Sequence, residues 1–253
     1  MSFLTAALLA AAMLITTPPA LEDIFQKGET LDYTVTWMKV TGGTARMTIA
    51  PQGEDRYRIT SVAKSSGGLG RLFKIRDEIE TLVAREDFST LRISKNLDER
   101  GDKMVETTTI EGGVATRKRK KVRKLAVPRP IFDPISVIYH VRKFDLTPGK
   151  TYELTLYADL KLYTVHARCI RKELVQTPAG TFTTVLVEPE MLNANGEPKE
   201  EKLFIWYTDD ERRLPVRVRT EVKFGSVTAT LTSVTSGVTT IDPPPLPPPA
   251  KTK

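Results

Sequence analysis

Alternating apolar and polar residues recur along almost the whole chain, whereas a single segment has helical periodicity. Residues 31–38 are the clearest example, because aromatic and β-branched residues occupy every second position there, a period typical of a β-strand. Further strands are predicted at residues 45–50, 57–64, 78–85, 90–96, 103–110, 114–117, 152–158, 162–175, 182–187, 202–208, 216–224 and 227–234. A sheet of this size must bury one face, and one helix cannot cover it. We therefore expect the sheet to curve and close on itself.

The predicted helix begins at Asp133, whose carboxylate can accept hydrogen bonds from the first free amides. Pro134 suits the first helical position, and Pro148-Gly149 ends the segment. A second, short helical turn is expected at residues 69–74. The predicted fold is mainly β: a large curved antiparallel sheet, forming a barrel or half-barrel, with one short-to-medium helix packed against it. Larger barrels can hold ligands in their interior.

The two ends of the chain differ from the rest in composition. Residues 1–20 carry no charge and include a short apolar stretch that suits a secretory signal, although no Lys or Arg precedes it. An uncleaved anchor or a buried N-terminal segment are the alternatives, and a different start codon would account for the missing charge. Residues 237–253 contain a proline-rich run, predicted to be extended and disordered. Between them we predict a single β-rich domain, residues 21–236, located in the periplasm. One cysteine, Cys169, excludes an intramolecular disulfide.

A run of seven cations in eight positions accounts for the charge of the whole chain. The net charge is +7, so removing the run leaves 7 − 7 = 0. The predicted anion-binding residues are Arg117, Lys118, Arg119, Lys120, Lys121, Arg123 and Lys124. For an exported protein the suitable polyanions are phospholipid headgroups, lipopolysaccharide phosphates or an acidic partner. Nucleic acid fits only a protein that stays inside the cell, and no aromatic platform is interleaved with the run. A merely solvated loop is the alternative.

No motif in the sequence predicts a catalytic residue, a cofactor or a metal. The stretch Pro148–Thr151 lacks the first glycine of a phosphate-binding loop, and Ser61-x-x-Lys64 lies in a predicted strand without the motifs that accompany it in penicillin-recognising enzymes. The two histidines have no Cys, Asp or Glu at ligand spacing. We therefore predict that the protein is not an enzyme. A hydrolase using His166 or Asp210 is the remaining catalytic alternative.

Four short motifs, taken together, resemble one bacterial family. They are Gly28-Glu29-x-Leu31-x-Tyr33, Asp133-x-x-Ser136-x-x-Tyr139-x-x-Arg142, Thr177-Pro178-x-Gly180-x-Phe182 and Trp206-x-Thr208-x-Asp210-x-x-Arg213-x-Pro215-Val216. In order and spacing they resemble the domain-of-unknown-function family 3108 over residues 27–235. The resemblance implies an exported, mainly β protein of Gram-negative envelopes with no known catalytic residues. It carries no assigned function.

Several of these motif positions suggest structural roles. Asp133 and Ser136 can satisfy the amides at the helix start. Arg142, near the helix end, can bind carbonyl groups or a carboxylate such as Asp210.

The preferred hypothesis is a non-enzymatic periplasmic binding or chaperone-like protein. Its curved sheet would enclose an apolar or amphipathic, lipid-like ligand, and its basic loop would contact anionic lipid or lipopolysaccharide. Tyr33, Trp37 and Trp206 are the candidate cavity-lining residues, with core packing as the other role open to each. The second hypothesis is a structural envelope adaptor, in which the proline-rich tail reaches a protein partner.

Overall fold

The computed structural model describes residues 19–67, 74–222 and 225–237. Within them lie two helices, α1 (Pro19–Lys27) and α2 (Ser136–Val141). The first eight strands are β1 (Glu29–Trp37), β2 (Val40–Pro51), β3 (Arg56–Ser65), β4 (Ile75–Ala84), β5 (Thr90–Glu99), β6 (Asp102–Glu111), β7 (Val114–Lys118) and β8 (Val122–Ala126). The others are β9 (Thr151–Ala158), β10 (Lys161–Thr177), β11 (Gly180–Leu192), β12 (Lys202–Thr208), β13 (Pro215–Val222) and β14 (Gly225–Ser236).

All fourteen strands belong to one antiparallel sheet with the order β8-β7-β6-β5-β4-β3-β2-β1-β14-β13-β12-β11-β10-β9. Almost every strand pairs with its neighbour in sequence, as expected of strands joined by short turns. The exception is the pair of β1 with β14, which joins the two halves of the chain. The sheet does not close on itself as we expected, because β8 and β9 remain its two edges. The predicted mainly β fold with one large antiparallel sheet is confirmed.

The segment after β8 bridges the two sides of the open sheet. The carbonyl of Ile131 accepts a hydrogen bond from the amide of Thr90 at the start of β5, with N and O 2.8 Å apart. The next residue, Phe132, forms a parallel bridge to Leu156 on β9, and its carbonyl accepts from the amide of Tyr157 at 2.7 Å. This bridge brings the two edges together and makes the open sheet barrel-like. We refer to the line between β8 and β9 as the seam.

Side chains fill the interior of the sheet. On β1 the residues at alternate positions, including Leu31 and Tyr33, point into a large apolar cluster, which accounts for the period of two in the sequence. Helix α1 adds the ring of Phe25, whose centroid lies 5.9 Å from that of Tyr57 and 6.0 Å from that of Tyr139 on α2. A smaller cluster, formed by Ile93, Ala115, Val127, Ile131 and Tyr157, lies along the seam. The two helices therefore cover the inner face of the sheet, because their side chains fill the space that the sheet encloses.

Two elements differ from the sequence predictions. Helix α2 begins at Ser136 instead of Asp133, and it spans six residues and not the whole stretch up to Pro148. Asp133 does accept hydrogen bonds from the amides of Ile135 and Ser136 as predicted. Helix α1 was not predicted, yet its Leu21 and Phe25 are fully buried. Its nine residues are too few for the sequence periodicity to separate them from the preceding apolar segment.

The basic run was predicted to be a loop, and this is wrong, because β8 pairs with β7 to form a hairpin. Cations at nearly every position hide the alternation of this strand. Three further predictions fall on residues that the structure does not describe: the helical turn after Gly68, nearly all of the signal segment, and the proline-rich tail from residue 238 onward.

Candidate functional site

The basic run forms the β7–β8 hairpin at one edge of the sheet. Its tip consists of Arg119, Lys120 and Lys121, and six of the seven cations are exposed. Arg117 is the exception, because its Nε lies 3.7 Å from a carboxylate oxygen of Glu106, a residue only 4% exposed. The same carboxylate lies 3.9 Å from Nζ of Lys95 on β5. The hairpin is anchored to the sheet by the pairing of β7 with β6, and its cations other than Arg117 face solvent.

An open groove runs along the seam beside this hairpin. We call it the seam groove; its volume is about 600 Å³. It is lined by Leu125 of β8, Leu160 of the β9–β10 turn, Leu162 and Tyr163 of β10, Lys161, and residues 193–195 and 197–199 of the β11–β12 loop. The lining is mostly apolar, with the ammonium of Lys199 4.9 Å from the centroid of the Tyr163 ring. A mostly apolar concavity with a few placed charges is the usual form of a ligand site.

The backbone holds Leu160 in the groove in an unusual conformation. Asp159 and Leu160 form the two-residue turn between Ala158 and Lys161, and both have positive φ, 49° and 63°. Glycine or asparagine is favoured in such turns, because a side chain with positive φ costs about 1–2 kcal/mol. Strained residues cluster at functional sites. The turn at Met38 and Lys39 has the same pair of positive φ values, 47° and 70°; at the groove this turn conformation places a leucine side chain in the wall.

A second groove of similar volume, about 640 Å³, is less suitable for a lipid-like ligand. Its lining is mainly charged, and the charges are already paired, as in the contact of 3.2 Å between Nη2 of Arg85 and Oε1 of Glu22. A third cavity lies under the sheet beside Tyr157 and Glu106 and measures about 70 Å³. That volume is far below the 300–1,000 Å³ of typical ligand pockets.

The three residues predicted to line a cavity do not line any of these three. Tyr33 is buried in the core, where its hydroxyl donates a hydrogen bond to the carbonyl of Pro215 at 2.8 Å. Trp206 is 9% exposed and donates from Nε1 to the carboxylate of Glu173. Trp37 is half-buried at the end of β1, opposite Val40 and Val227. In the described chain these rings pack at separate places, and the apolar concavity lies at the seam, outside the sheet interior where we expected it.

The two residues of the hydrolase alternative have separate sets of partners. His166 on β10 lies 3.4 Å from a carboxylate oxygen of Glu153 and is one third exposed. Asp210, in the turn before β13, accepts hydrogen bonds from the hydroxyl of Thr208 and the amides of Arg212 and Arg213. These bonds shape the turn. They do not link Asp210 to a base that is itself hydrogen-bonded to a nucleophile, which is the arrangement that nucleophilic catalysis requires.

Burial further limits the chemistry available. Burial, aided by the charge of Asp145, raises the pKa of the Cys169 thiol to about 11, which disfavours the reactive thiolate. No three His, Cys, Asp or Glu residues are grouped to hold a metal within the described ranges. None of the described helices has the length and apolar character needed to cross a membrane.

Arg142 has a different partner from the one suggested by the sequence. Its guanidinium pairs with Glu29 on β1, with Nη1 2.6 Å from Oε1, and also donates to the carbonyl of Arg212. Asp210 pairs with the guanidinium of Arg212 instead. The interaction of Arg142 with a carbonyl was predicted, whereas the pair with Glu29, distant by more than one hundred residues, had no signal beyond the shared motifs.

Comparison with solved structures shows that the fold of this chain is similar to that of a known β-barrel-like protein. A β-barrel-like protein from Brucella abortus, of the domain-of-unknown-function family 1849, is 12% identical and covers 83% of this chain and 97% of its own, with a TM-score of 0.57. Lower TM-scores of 0.34 relate the chain to two other structures. One is a candidate exported protein from Bacteroides fragilis (14% identity, 83% of this chain and 96% of that one). The other is a candidate lipoprotein from Parabacteroides distasonis (12% identity, 84% and 98%).

The sequence comparisons agree with the resemblance noted from the four motifs. No curated protein shows significant sequence similarity to the chain. A family model described as a protein of unknown function, DUF3108, matches residues 32–232, which begin within β1 and end within β14. The chain is therefore a member of the DUF3108 family.

Proposed function

We propose that this chain is a non-enzymatic periplasmic binding protein for an anionic amphiphile. The apolar part of the ligand lies in the seam groove against Leu125, Leu160 and Leu162. The anionic group of the ligand meets the cations around it. The observation that carries the proposal is the apolar seam groove, with a strained leucine at its wall and the basic hairpin at its edge.

Apolar burial supplies the main driving force for such a ligand. Each methylene removed from water contributes about 0.8 kcal/mol. The groove volume of about 600 Å³ lies within the range of ligand pockets. An acyl chain could therefore lie along it, whereas the cavity of about 70 Å³ under the sheet could not hold one.

The charges around the seam groove determine which headgroup the ligand carries. Lys161 and Lys199 lie in the groove lining together with one acidic residue, Glu197, and Leu125 directly follows Lys124 of the basic hairpin. An excess of cations beside an apolar site favours an amphiphile with a phosphate or carboxylate headgroup over a neutral one. Phospholipids and lipopolysaccharide share this chemistry.

The test is native mass spectrometry with lipid extraction on protein purified from the periplasm. We expect bound anionic lipid in the wild type and its loss in Leu160→Asn. This change suits the fold, because asparagine tolerates positive φ better than leucine. The matched control is Leu174→Asn, since Leu174 is 73% exposed on β10 and does not line the groove.

Extracted lipids distinguish the two sources of the ligand. A phospholipid mass and a lipid A mass give different spectra, and either is consistent with the proposal. A wild-type protein free of amphiphile, or equal loss of ligand in both leucine variants, would overturn it.

A further inference from the structure

The direction of the strands gives the two ends of the sheet different characters. Every neighbouring pair is antiparallel, so the odd-numbered strands all end, and the even-numbered strands all begin, at the same end of the sheet. We call this end the rim. Both helices precede odd-numbered strands and therefore enter from the opposite end, where Glu29 at the start of β1 pairs with Arg142.

Exposed apolar side chains are concentrated at the rim. Eight large apolar residues of the described chain are more than one third exposed, and six of them lie either in a rim turn or among the first four residues of a strand that begins at the rim. The six are Met38, Val40, Ile75, Val105, Val122 and Val227. The other two, Ile170 and Leu174, lie farther along β10. Single exposed apolar residues are ordinary on a protein surface, but their concentration at one end is not.

The rim also carries the basic hairpin tip and the mouth of the seam groove. Residues 119–121 form the turn after β7, and the exposed Lys39 lies between Met38 and Val40 in the turn after β1. The β9–β10 turn with Leu160 and the β11–β12 loop, which line the groove, are rim connections as well. Cations, exposed apolar side chains and the groove therefore share one end of the molecule.

We propose that the rim docks on an anionic lipid bilayer, with its apolar turn residues inserted among the headgroups and the seam groove opening toward the membrane. The basic hairpin supplies long-range attraction, about 1 kcal/mol for each cation near an anionic surface. Burial of the apolar side chains in the interface supplies the short-range part. This inference rests on the proposed function, since the docked orientation gives an amphiphile a path between bilayer and groove.

A bilayer suits this pattern better than a protein partner does. The exposed apolar residues belong to different turns, and Met38 and Val122 each have a lysine next to them in sequence. A fluid surface with anionic headgroups over an apolar layer can accommodate cations and apolar groups side by side.

The fluorescence of Trp37 can report whether the rim contacts the membrane. It has two tryptophans, of which Trp37 ends β1 at the rim and Trp206 lies buried, two residues from the far end of β12. We expect vesicles of phosphatidylglycerol and phosphatidylethanolamine with brominated acyl chains to quench the tryptophan fluorescence of the protein. The quenching should disappear in Trp37→Phe, which keeps Trp206. Vesicles of brominated phosphatidylcholine alone should cause little quenching, because they lack net negative charge.

Isosteric substitutions test the apolar contribution without changing charge or strand propensity. The triple variant Val40→Thr, Val105→Thr and Val122→Thr should bind the anionic vesicles about tenfold more weakly in a flotation assay. The matched control is the double variant Ile170→Thr and Leu174→Thr, which removes exposed apolar groups away from the rim and should bind as the wild type does.

The outcomes separate this inference from the proposed function. Unquenched Trp37 emission, or equal vesicle binding by the rim variant and its control, overturns rim docking, whereas bound amphiphile in the same proteins leaves the carrier proposal intact. Conversely, rim-dependent vesicle binding by a protein that never holds amphiphile supports docking and overturns the carrier proposal. Leu160→Asn should still bind vesicles, because Leu160 is not one of the six exposed apolar residues at the rim.

Discussion

Arg142 and Glu29 form an ion pair that is closed to solvent, with Nη1 2.6 Å from Oε1 and Nη2 3.1 Å from Oε2. The guanidinium also donates two hydrogen bonds to the carbonyl of Arg212, at 3.0 and 2.8 Å. It lies 5.2 Å from the centroid of the Phe25 ring on α1. This one side chain therefore joins the end of α2 to β1, to the turn before β13 and to α1.

Removing one member of this pair should strongly destabilise the fold. In Glu29→Gln the guanidinium of Arg142 would stay buried without a countercharge, and loss of one partner of a buried pair costs about 3–5 kcal/mol. We expect the free energy of unfolding, measured by urea titration, to fall by that amount.

An exposed ion pair provides the control for this measurement. Lys27 and Asp23 on α1 are 2.7 Å apart, and both side chains are at least 60% exposed. Asp23→Asn should therefore lower the free energy of unfolding by no more than about 0.5 kcal/mol. Equal losses in the two variants would show that water reaches Arg142.

His140 should make the fold sensitive to mild acid. Burial, with a smaller effect of the nearby Lys143 ammonium, lowers the pKa of His140 to about 3. Between pH 6.5 and 3 the unfolded chain binds a proton at this residue and the folded chain does not, so stability falls as pH falls through that window. Above pH 6.5 the residue contributes no pH dependence. The slope from this one group is at most about 1.4 kcal/mol for each pH unit.

His140→Phe should remove that slope. The imidazole stacks on the Phe132 ring at 4.2 Å and meets the Phe144 ring edge-on at 5.0 Å, so a phenyl ring suits the site. Urea titrations at pH 7 and pH 5 should show a smaller difference in the variant than in the wild type. Phe144→Leu is the control, because it disturbs the same packing without removing a titratable group. An unchanged difference in His140→Phe would contradict the prediction.

Local patterns were sufficient to predict most of the fold. Alternation along residues 31–38 predicted β1, because the inner face of that strand is buried and the other face is not. The position of Asp133 before Pro134 predicted the hydrogen bonds of that carboxylate to the amides of Ile135 and Ser136, because such bonds reach only two and three residues along the chain, although α2 itself begins at Ser136. Signals of this kind depend on neighbours in sequence.

The remaining features depend on residues far apart in the chain. The pair of Glu29 with Arg142 and the groove formed by Leu125 with Leu160 arise only when the two halves of the sheet meet at β1 and β14 and the edges approach each other. The sequence predicted a ligand in the sheet interior because it gave no measure of how fully side chains and α1 fill that space. It likewise left the bonding of Trp206 to Glu173 undetermined.

Asp133 should stabilise the protein well beyond the cap of a six-residue helix. Its carboxylate accepts hydrogen bonds from the hydroxyls of Thr81 and Thr90, at 3.1 and 2.9 Å, in addition to the two amides of the cap. The residue is 1% exposed, so Asp133→Ala would leave buried donors unpaired. We expect the free energy of unfolding to fall by about 2–4 kcal/mol in urea titration.

Asp145 is the matched control for that measurement. It also accepts hydrogen bonds from a nearby amide and hydroxyl, both of Thr147, and from the exposed ammonium of Lys150, and its own side chain is 55% exposed. Water can replace these partners, so Asp145→Ala should cost about 1 kcal/mol or less. A loss in Asp133→Ala as small as in the control would mean that the threonine hydroxyls find other acceptors.

The basic hairpin should determine the salt dependence of membrane binding. Lys120→Gln with Lys121→Gln removes two exposed tip charges, which at about 1 kcal/mol each should weaken binding to anionic vesicles at least about tenfold at low salt. Salt screens such attraction, so the difference from the wild type should shrink as ionic strength rises. The control, Arg171→Gln with Lys172→Gln, lowers the net charge of +7 by the same two units on β10, away from the rim. If the two double variants weaken vesicle binding equally, the net charge of the protein governs membrane binding and the position of the hairpin does not. That result would contradict an electrostatic role for the rim.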